Sequence, residues 1–329
     1  MSRRLDPLAW FRSRRPPHAF VLSRSRLAYV GRQDPREGAK GEGTEAWRFL
    51  SRPLPADAFA EGPAGSPVAG GPLAETVSRL TTDAGGRVPA ASLVVPDDFV
   101  RVLAVDVENP DRNPKEVDDV LAWKFGKSFG EPPPPLRVSW QVAGSGSAGI
   151  RVLGVVVPEE AAASWERAFE KSGVRIGAVE TATLAASRLG LGALAEGNGL
   201  VLWAQGAMAT VAYFEAGVLR FLRTRSTPDS LTALQEVRLT ASYVAPRSPR
   251  EGGEAGSDLE AAAADVTLPC IAGPPGEPAV QAFQAFRNEQ GGPPPLPLTL
   301  SALRPRARLT AAADDPAVVE ALGVLSGED

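Results

Sequence analysis

The sequence predicts an α/β or α+β fold, because segments with strand patterns and segments with helix patterns alternate along almost the whole chain. The length of 329 residues is sufficient for two domains, or for one elaborated domain with a large core. Hydrophobic residues make up 43% of the chain and charged residues 22%, which is ordinary for a soluble globular protein.

The first elements follow from local patterns. Residues 19–31, AFVLSRSRLAYVG, predict a strand, a tight turn and a second strand. Apolar residues at helical spacing predict a helix over 72–85 that ends near Gly85. The apolar run ASLVVP at 91–96 predicts a short buried strand.

The middle of the chain continues the alternation. Residues 113–129 predict an amphipathic helix with Asn113 as its N-cap. Two strands around a Gly/Ser turn follow at 136–143 and 150–158. The segment EEAAASWERAFEKSG then predicts a helix that a glycine closes.

The last third begins with an apolar segment at 199–224, GLVLWAQGAMATVAYFEAGVLRFLRT, which predicts two strands around a turn of small residues. Segments rich in Gly, Pro and Ser predict surface loops along the chain. These loops are 61–72, 131–135, 144–149, 246–257 and 291–297. We expect 246–257 to be the most flexible of them.

Charge and composition exclude several classes of function. The formal net charge of -4 provides no electrostatic reason to bind nucleic acid or anionic lipid. The one cysteine, Cys270, excludes an internal disulfide, and with one histidine, His18, the chain has too few ligands for a usual zinc site. No run of 18 apolar residues is present. We therefore expect a cytoplasmic protein with no transmembrane segment, no metal and no nucleic-acid partner.

Two apparent nucleotide motifs fail in their context. The G-x-G-x-x-G match at 144–149 leads into a strand, whereas a dinucleotide fingerprint opens a helix. The GKS at 126–128 resembles the end of a P-loop, but Leu121 stands where that loop requires a glycine. We interpret the first match as a hairpin loop and reject the second.

The candidate catalytic groups have simpler structural interpretations, so no catalytic residue is predicted. A Ser or Cys nucleophile would depend on His18, which we expect to be exposed at the start of a strand, while Cys270 is expected to pack among apolar residues. Paired carboxylates occur at Asp97-Asp98, Asp118-Asp119, Glu159-Glu160 and Asp314-Asp315. We expect these acids at helix starts or on solvated faces rather than in acid/base catalysis.

Four segments in a fixed order carry a family resemblance: VDDVLAWKFGKSFGEPPPP, LRVSWQV, KSGVRIGAVETATLAASRL and the segment 199–224. A helix with a tryptophan and acids before a proline turn, a paired strand, and a strand leading to an alanine-rich helix occur in this order in the PilM family. These are the cytoplasmic actin-like proteins of type IV pilus assembly. The chain resembles this family over nearly its full length, most clearly from about 91 to 225.

The resemblance implies a two-lobed actin-like α/β fold with an inserted α+β subdomain. On this basis we expect a first lobe at 1–96 together with 176–195, an inserted subdomain at 97–175 and a second lobe at 196–329 that contains the flexible loop 246–257.

The resemblance also places two phosphate hairpins, and both have lost their typical residues. In the family the first resembles D-I-G-S-S-S-V-K and the second resembles V-D-I-G-A-S-T-T. The matching positions here are Ser23, Arg24 and Ser25 in the first hairpin, and Trp203, Gln205 and Gly206 in the second. Ser23 and Trp203 stand at the two aspartate positions. Because a carboxylate at each place normally positions Mg²⁺ or its waters, both metal contacts are missing.

A third segment, CIAGPPGEP, corresponds to the glycine-rich adenosine loop of the family. Pro274 and Pro275 remove two backbone donors there, while Gly273 and Gly276 remain. Arg24 can attract an anion but cannot replace a metal ligand. We therefore expect no ATP hydrolysis and no required cofactor, with weak nucleotide binding left open.

The resemblance implies a scaffold that receives the N-terminal peptide of an inner-membrane pilus protein, PilN, in a groove near the inserted subdomain. The residues suited to such a groove are Val95, Phe99, Trp123, Phe125, Phe129 and Trp140. Trp123 and Phe125 cannot both face one core, so one of them must lie near the surface. The basic residues Arg3, Arg4, Arg12, Arg14 and Arg15 are expected to be solvated or to touch anionic lipid.

Two alternatives remain open at this point. One is an active actin-like ATPase with a divergent site, for which Asp229 or Glu236 would supply a magnesium ligand. The other is an α/β interaction domain with no connection to pili. An actin-like fold with a filled cleft favours the pilus scaffold, whereas a different topology favours the interaction domain.

Overall fold

The structure is a computed structural model. It describes residues 16–32, 46–60, 65–68, 71–108, 114–146, 149–194, 197–206, 208–227, 229–244, 269–289, 291–303, 308–309 and 315–325. The predicted loop 246–257 and the basic residues Arg3, Arg4, Arg12, Arg14 and Arg15 lie outside these ranges.

The described residues form fourteen strands and eight α-helices. The strands are β1 (His18–Leu22), β2 (Arg26–Arg32), β3 (Ala46–Pro53), β4 (Ala90–Val95), β5 (Arg101–Glu108), β6 (Leu136–Gly146), β7 (Gly149–Pro158), β8 (Arg175–Thr181), β9 (Gly199–Gln205), β10 (Met208–Glu215), β11 (Val218–Ser226), β12 (Cys270–Gly273), β13 (Leu296–Pro297) and β14 (Arg308–Leu309). The helices are α1 (Pro72–Asp83), α2 (Pro114–Gly126), α3 (Glu159–Glu170), α4 (Ala182–Leu191), α5 (Ser230–Val244), α6 (Pro278–Glu289), α7 (Leu300–Leu303) and α8 (Pro316–Leu325).

The first sheet contains six strands in the order β14-β3-β2-β1-β4-β8. Successive side chains of a strand point to opposite faces, and each face of this sheet has its own helices. Phe20 and Leu22 pack with α1 and α3 in one core cluster, whereas Ala19 and Val21 pack with α4 and α8 in another. The sheet is therefore a central layer, with β8 as one of its edges.

The second sheet contains five strands in the order β11-β10-β9-β12-β13. One of its faces packs against α5 and α6, and the other shares a core cluster with α4, α8 and the first sheet. The segment 199–224 was predicted as two strands, but it forms parts of three. The prediction was wrong because a second tight turn, at Ala216 and Gly217 with φ of 51° and 74°, divides its second half.

The third sheet is the small antiparallel sheet β5-β7-β6. The helix α2 covers one face by packing Val117, Leu121 and Phe125 against the strands. The strands β6 and β7 form the predicted hairpin, because Gly146 pairs with Gly149. The strands β3 and β5 had not been recognised in the sequence.

The path of the chain crosses between the sheets more often than the sequence suggested. The helix α3 falls inside the predicted subdomain 97–175, yet it packs in the core of the first sheet. The strand β14 and the helix α8 fall inside the predicted second lobe, yet β14 pairs with β3 of the first sheet. All residues of α8 from Ala317 to Val324 are buried, so this helix requires a core on every side and occupies the space between the two large sheets.

Candidate functional site

The first and second sheets meet at two buried carboxylic acids. Asp97 lies two residues after the end of β4, and Glu320 lies in the middle of α8. Both acids bond to residues of the second sheet. They lie beside the apolar core cluster that the two sheets share, with buried threonines around Asp97.

Asp97 joins α4 to β10. Its Oδ1 accepts a hydrogen bond from the backbone N–H of Thr183 at 3.1 Å, and its Oδ2 accepts bonds from the hydroxyls of Thr183 and Thr210, the latter at 2.9 Å. The Thr210 hydroxyl also lies 2.9 Å from that of Thr224 on β11. Burial raises the pKa of Asp97, while the hydrogen bonds from Thr183, Thr210 and Thr181 oppose that shift.

Glu320 joins α8 to β9. Its side chain is 0% exposed, and its Oε1 accepts hydrogen bonds from the indole N–H of Trp203 at 3.0 Å and from the amide of Gln205. Its Oε2 has no hydrogen-bond partner among the residues that the structure describes. Burial and the charge of Asp97 raise the pKa of Glu320 to about 8. Because several donors surround Asp97, we assign the negative charge to Asp97 and the proton to Glu320.

Asp315 fixes the start of α8 on the first sheet. Its Oδ1 accepts the backbone N–H of Ala317 at 2.9 Å, which is an N-cap contact. The same oxygen accepts a bond from the Arg26 guanidinium at 2.8 Å. The helix that carries Glu320 is thus tied to β2.

A groove lies beside this boundary, with a volume of about 660 Å³. We call it the inter-sheet groove. The strand β8, the helix α4 and Val95 line one side, and β6 and β7 line another. Phe214 on β10 and Leu219 on β11 complete the lining. Because β8 ends the first sheet and β6 ends the third, two strand edges border the same groove.

Comparisons with known proteins identify the fold. No protein-family model matches the sequence, and no curated protein sequence matches it. Among solved structures, a chain of the "PilM-PilN type IV pilus biogenesis complex" aligns with a TM-score of 0.63 and 15% identity, covering 96% of this chain and 99% of that chain. A Bacteroides thetaiotaomicron protein described as having an actin-like ATPase fold and unknown function aligns with a TM-score of 0.51 and 6% identity, covering 96% and 97%. The chain has an actin-like fold.

At the first predicted phosphate turn, groups of Ser23, Arg24 and Ser25 bond to other residues of the protein. The backbone N–H and the hydroxyl of Ser23 both donate to the carbonyl of Arg26, at 2.9 and 3.1 Å. Arg24 pairs with Asp98 at 2.7 Å, and its guanidinium lies 4.8 Å from the centre of the Phe99 ring. The carbonyl of Ser25 accepts the N–H of Leu54.

The second phosphate turn and the predicted adenosine loop meet at Trp203. This residue is 1% exposed, and Gln205 beside it bonds to Glu320. Gly206 forms the turn with φ of 56°. A Cβ atom added to Gly273 would lie 2.9 Å from the Trp203 ring, so this glycine leaves room for the indole. Gly276 is exposed, and a Cβ atom there would meet nothing within 4 Å.

The predicted partner-binding residues do not lie together. Val95 and Trp140 line the inter-sheet groove, and the Trp140 indole donates to Asp118 at 2.8 Å. Val95, Phe99 and Phe125 are all core residues, at 0%, 0% and 2% exposure, and Phe99 and Phe125 do not line the groove.

The two other predicted partner-binding residues also lie outside the groove lining. Phe129 is half-buried beneath Arg101, with 5.1 Å between the guanidinium and the ring centre. Trp123 is 76% exposed on α2, so the expectation that either Trp123 or Phe125 would lie near the surface is confirmed.

The alternative magnesium ligands have other partners. Asp229 caps α5, because its carboxylate accepts the N–H of Thr232 at 2.8 Å, and these bonds lower the pKa of Asp229. Glu236 pairs with Arg223 at 2.7 Å. Within the described ranges, no group of three Asp, Glu, His or Cys residues has an arrangement that could hold a metal ion. The same ranges contain no helix with the length and apolarity needed to cross a membrane.

The two buried acids between the first and second sheets were not predicted as site residues from the sequence. Sequence reasoning placed Asp97 at a helix start, and Asp97 does begin a short 3-10 helix, but its carboxylate is buried rather than solvated. Glu320 was not singled out. One available signal was its position within the apolar run AVVEALGVL, where a lone acid on a helix must either reach solvent or find buried partners.

Proposed function

We propose that this protein is a cytoplasmic scaffold of type IV pilus assembly, or of a related type II secretion machine, that does not hydrolyse ATP. In this proposal it binds the cytoplasmic N-terminal peptide of a PilN-like inner-membrane protein and associates with the membrane through that partner. The observation that carries the proposal is the inter-sheet groove, in a chain that aligns over 96% of its length with one from a PilM-PilN complex.

The groove suits an extended peptide. The outer edges of β8 and β6 offer backbone donors and acceptors to an added strand, and main-chain pairing of this kind supplies affinity in many peptide complexes. Apolar side chains between the edges, including Leu184, Leu191 and Phe214, provide pockets for alternate residues of such a strand. The ion pair between Arg188 and Glu180, at 2.7 Å, lies on the α4 side of the groove.

The absence of hydrolysis is supported by the residues at the nucleotide positions. The buried Trp203 side chain lies at the second phosphate turn. At the first turn, Ser23 is hydrogen-bonded to Arg26 and Arg24 forms an ion pair with Asp98. The indole of Trp203 and the guanidinium of Arg24 cannot bind Mg²⁺, and the Ser23 hydroxyl donates its hydrogen bond to the Arg26 carbonyl. The two buried acids nearby, Asp97 and Glu320, are bonded to side chains that cross the cleft. The residues at the predicted positions therefore do not fit Mg-ATP.

Isothermal titration tests this proposal. The purified protein is titrated with a synthetic peptide from the cytoplasmic N-terminus of the neighbouring inner-membrane pilus protein and, separately, with Mg-ATP. We expect binding of the peptide and no heat with Mg-ATP. Tight Mg-ATP binding would support the active ATPase instead. Binding of neither ligand would favour an interaction domain unconnected with pili.

A further inference from the structure

The inter-sheet groove has walls that belong to different sheets. Thr181 at the end of β8 and Leu184 on α4 line it from the first sheet. Phe214 on β10 and Leu219 on β11 line it from the second sheet. The third wall, β6, belongs to the sheet whose strands β5 and β6 pack against β11, so its position follows that of the second sheet. The width of the groove therefore depends on how the two large sheets are held relative to each other.

Asp97 connects these walls directly. It accepts bonds from Thr183, in the first turn of α4, and from Thr210 on β10. Thr210 is four residues before Phe214 on the same strand. A shift of β10 away from α4 would break the bond between Asp97 and Thr210 and leave a buried carboxylate with fewer donors, which is costly.

Glu320 connects the walls through α8. This helix packs closely on α4, because a Cβ atom added to Gly323 would lie 1.8 Å from the carbonyl oxygen of Ala185. On its other side, Glu320 accepts bonds from Trp203 and Gln205 on β9, the strand that pairs with β10. The position of α4 is thereby linked to that of the second sheet.

We propose that Asp97 and Glu320 form an inter-sheet clamp that holds the two walls of the groove at one spacing, so that the groove is preformed for an extended peptide. The effect of the clamp on a peptide rests on the proposed function, whereas its effect on the spacing of the sheets does not.

The charge state of Glu320 sets the strength of the clamp. Its charged surroundings are Asp97 after β4, Arg26 on β2 and Asp315 before α8. As a neutral acid, Glu320 accepts from Trp203 and Gln205 without a second buried charge beside Asp97. Ionisation would place two negative charges in one buried site, which favours separation of the sheets. The clamp is therefore expected to loosen above pH 8.

A distance measurement between the sheets tests the clamp without any ligand. Cysteines replace Lys171 beside α3 and Gln281 on α6, which are both exposed, and carry a donor and an acceptor dye. The native Cys270 is buried, and burial raises the pKa of its thiol to about 12, so it is not labelled under mild conditions. Energy transfer then reports the spacing of the two sheets at pH 6.5 and at pH 9.

Three variants and one control distinguish a loss of the clamp from a general loss of stability. Glu320→Met removes the acceptor for Trp203 and Gln205, Thr210→Val removes the hydroxyl that bonds Asp97, and Glu320→Gln keeps an acceptor without a charge. Thr81→Val removes a buried hydroxyl whose hydrogen bond to the carbonyl of Val77 lies within α1. We expect wider distance distributions in the first two variants, and unchanged distributions in the control and in Glu320→Gln at both pH values.

Peptide titration of the same proteins distinguishes the two proposals. We expect affinity to fall about tenfold in Thr210→Val, because only the fraction of molecules with a closed groove binds. Unchanged distances in Thr210→Val and in the wild type at pH 9 would overturn the clamp, even if Glu320→Met fails to fold. Changed distances in a protein that binds no peptide would leave the clamp in place and overturn the proposed function.

Discussion

Trp203 donates its indole N–H to Glu320 across the boundary between the two large sheets, at a distance of 3.0 Å. The resemblance to the PilM family places an aspartate at position 203, on the strand before the second phosphate turn. Here the strand carries the donor, and the acid comes from α8. The residues at this turn therefore bond to each other across the sheet boundary.

Replacement of Glu320 by glutamine should reduce the pH dependence of stability. Burial raises the pKa of Glu320 to about 8 in the folded state, from the ordinary value of 4.5. The folded protein therefore holds a proton that the unfolded chain has lost between these values. Its contribution to stability is complete below pH 4.5 and declines as the pH rises to 8, by at most about 1.4 kcal/mol per pH unit.

Urea denaturation of the wild type and of Glu320→Gln at pH 5, 6, 7 and 8 measures this difference. The variant keeps an acceptor for Trp203 and has no proton to lose, so its free energy of unfolding should fall less steeply. Asp97 also makes the free energy of unfolding depend on pH, and it does so in both proteins. The contribution of Glu320 is therefore the difference between the two pH dependences. If the free energy of unfolding fell equally with pH in the two proteins, the assignment of the proton to Glu320 would be contradicted.

The aspartate that is typical of the family should not restore nucleotide binding at position 203. Trp203→Asp removes a buried indole and places a charge beside Glu320 and Asp97, so we expect a loss of roughly 3–5 kcal/mol. Trp123→Asp is the matched control, because Trp123 is 76% exposed and its replacement should change stability by less than about 0.5 kcal/mol. Denaturation measures the stability of both variants, and titration with Mg-ATP measures binding. Mg-ATP binding by a folded Trp203→Asp protein would show that the cleft retains the rest of a nucleotide site.

Much of the fold could be predicted from local patterns, because many elements carry their own signals. The turn at Ser23 to Ser25, the glycine pair that closes the β6–β7 hairpin, and the apolar spacing in α1 all lie in short stretches of sequence. The turn at Ala216 and Gly217 was missed although Glu215 and Gly217 interrupt the apolar pattern there. Two residues with positive φ are enough to reverse the chain between β10 and β11, so the sequence signal for the turn is short.

The site was less predictable, because its contacts join residues that are far apart in the sequence. Glu320 meets Trp203 from 117 positions away, and Asp97 meets Thr210 from 113 positions away. The return of α8 to the first sheet could not be inferred from its own residues. Its apolar composition required burial but did not specify which sheets would bury it.

An added methyl group at position 323 should weaken the packing of α8 on α4. The Cβ atom of Gly323→Ala would lie 1.8 Å from the Ala185 carbonyl oxygen, and backbone cannot move aside as a flexible side chain can. We expect a loss of roughly 1–3 kcal/mol by overpacking, although alanine favours helix over glycine. Gly192→Ala is the control, because its φ is -64° and nothing lies within 4 Å of the added atom. The midpoint of urea denaturation compares the two, and equal midpoints would contradict the close approach of the helices.

A charge on the edge of β8 should weaken peptide binding if the groove is the binding site. Val179 lies on this strand, lines the groove and is 43% exposed, so Val179→Lys should fold normally. A bound strand would cover the new ammonium group, and burying an unpaired charge is costly. We expect the affinity for the PilN-like peptide to fall at least about tenfold, measured by isothermal titration.

Val142 provides a matched control for that experiment. It is a valine of similar exposure, 40%, on the other edge strand β6, but it does not line the groove. Val142→Lys adds the same charge to the protein, so it accounts for any general electrostatic effect on the peptide. Equal loss of affinity in the two variants would indicate a non-local effect of charge. Loss in Val142→Lys alone would place the peptide on the outer part of β6, away from the clamp formed by Asp97 and Glu320.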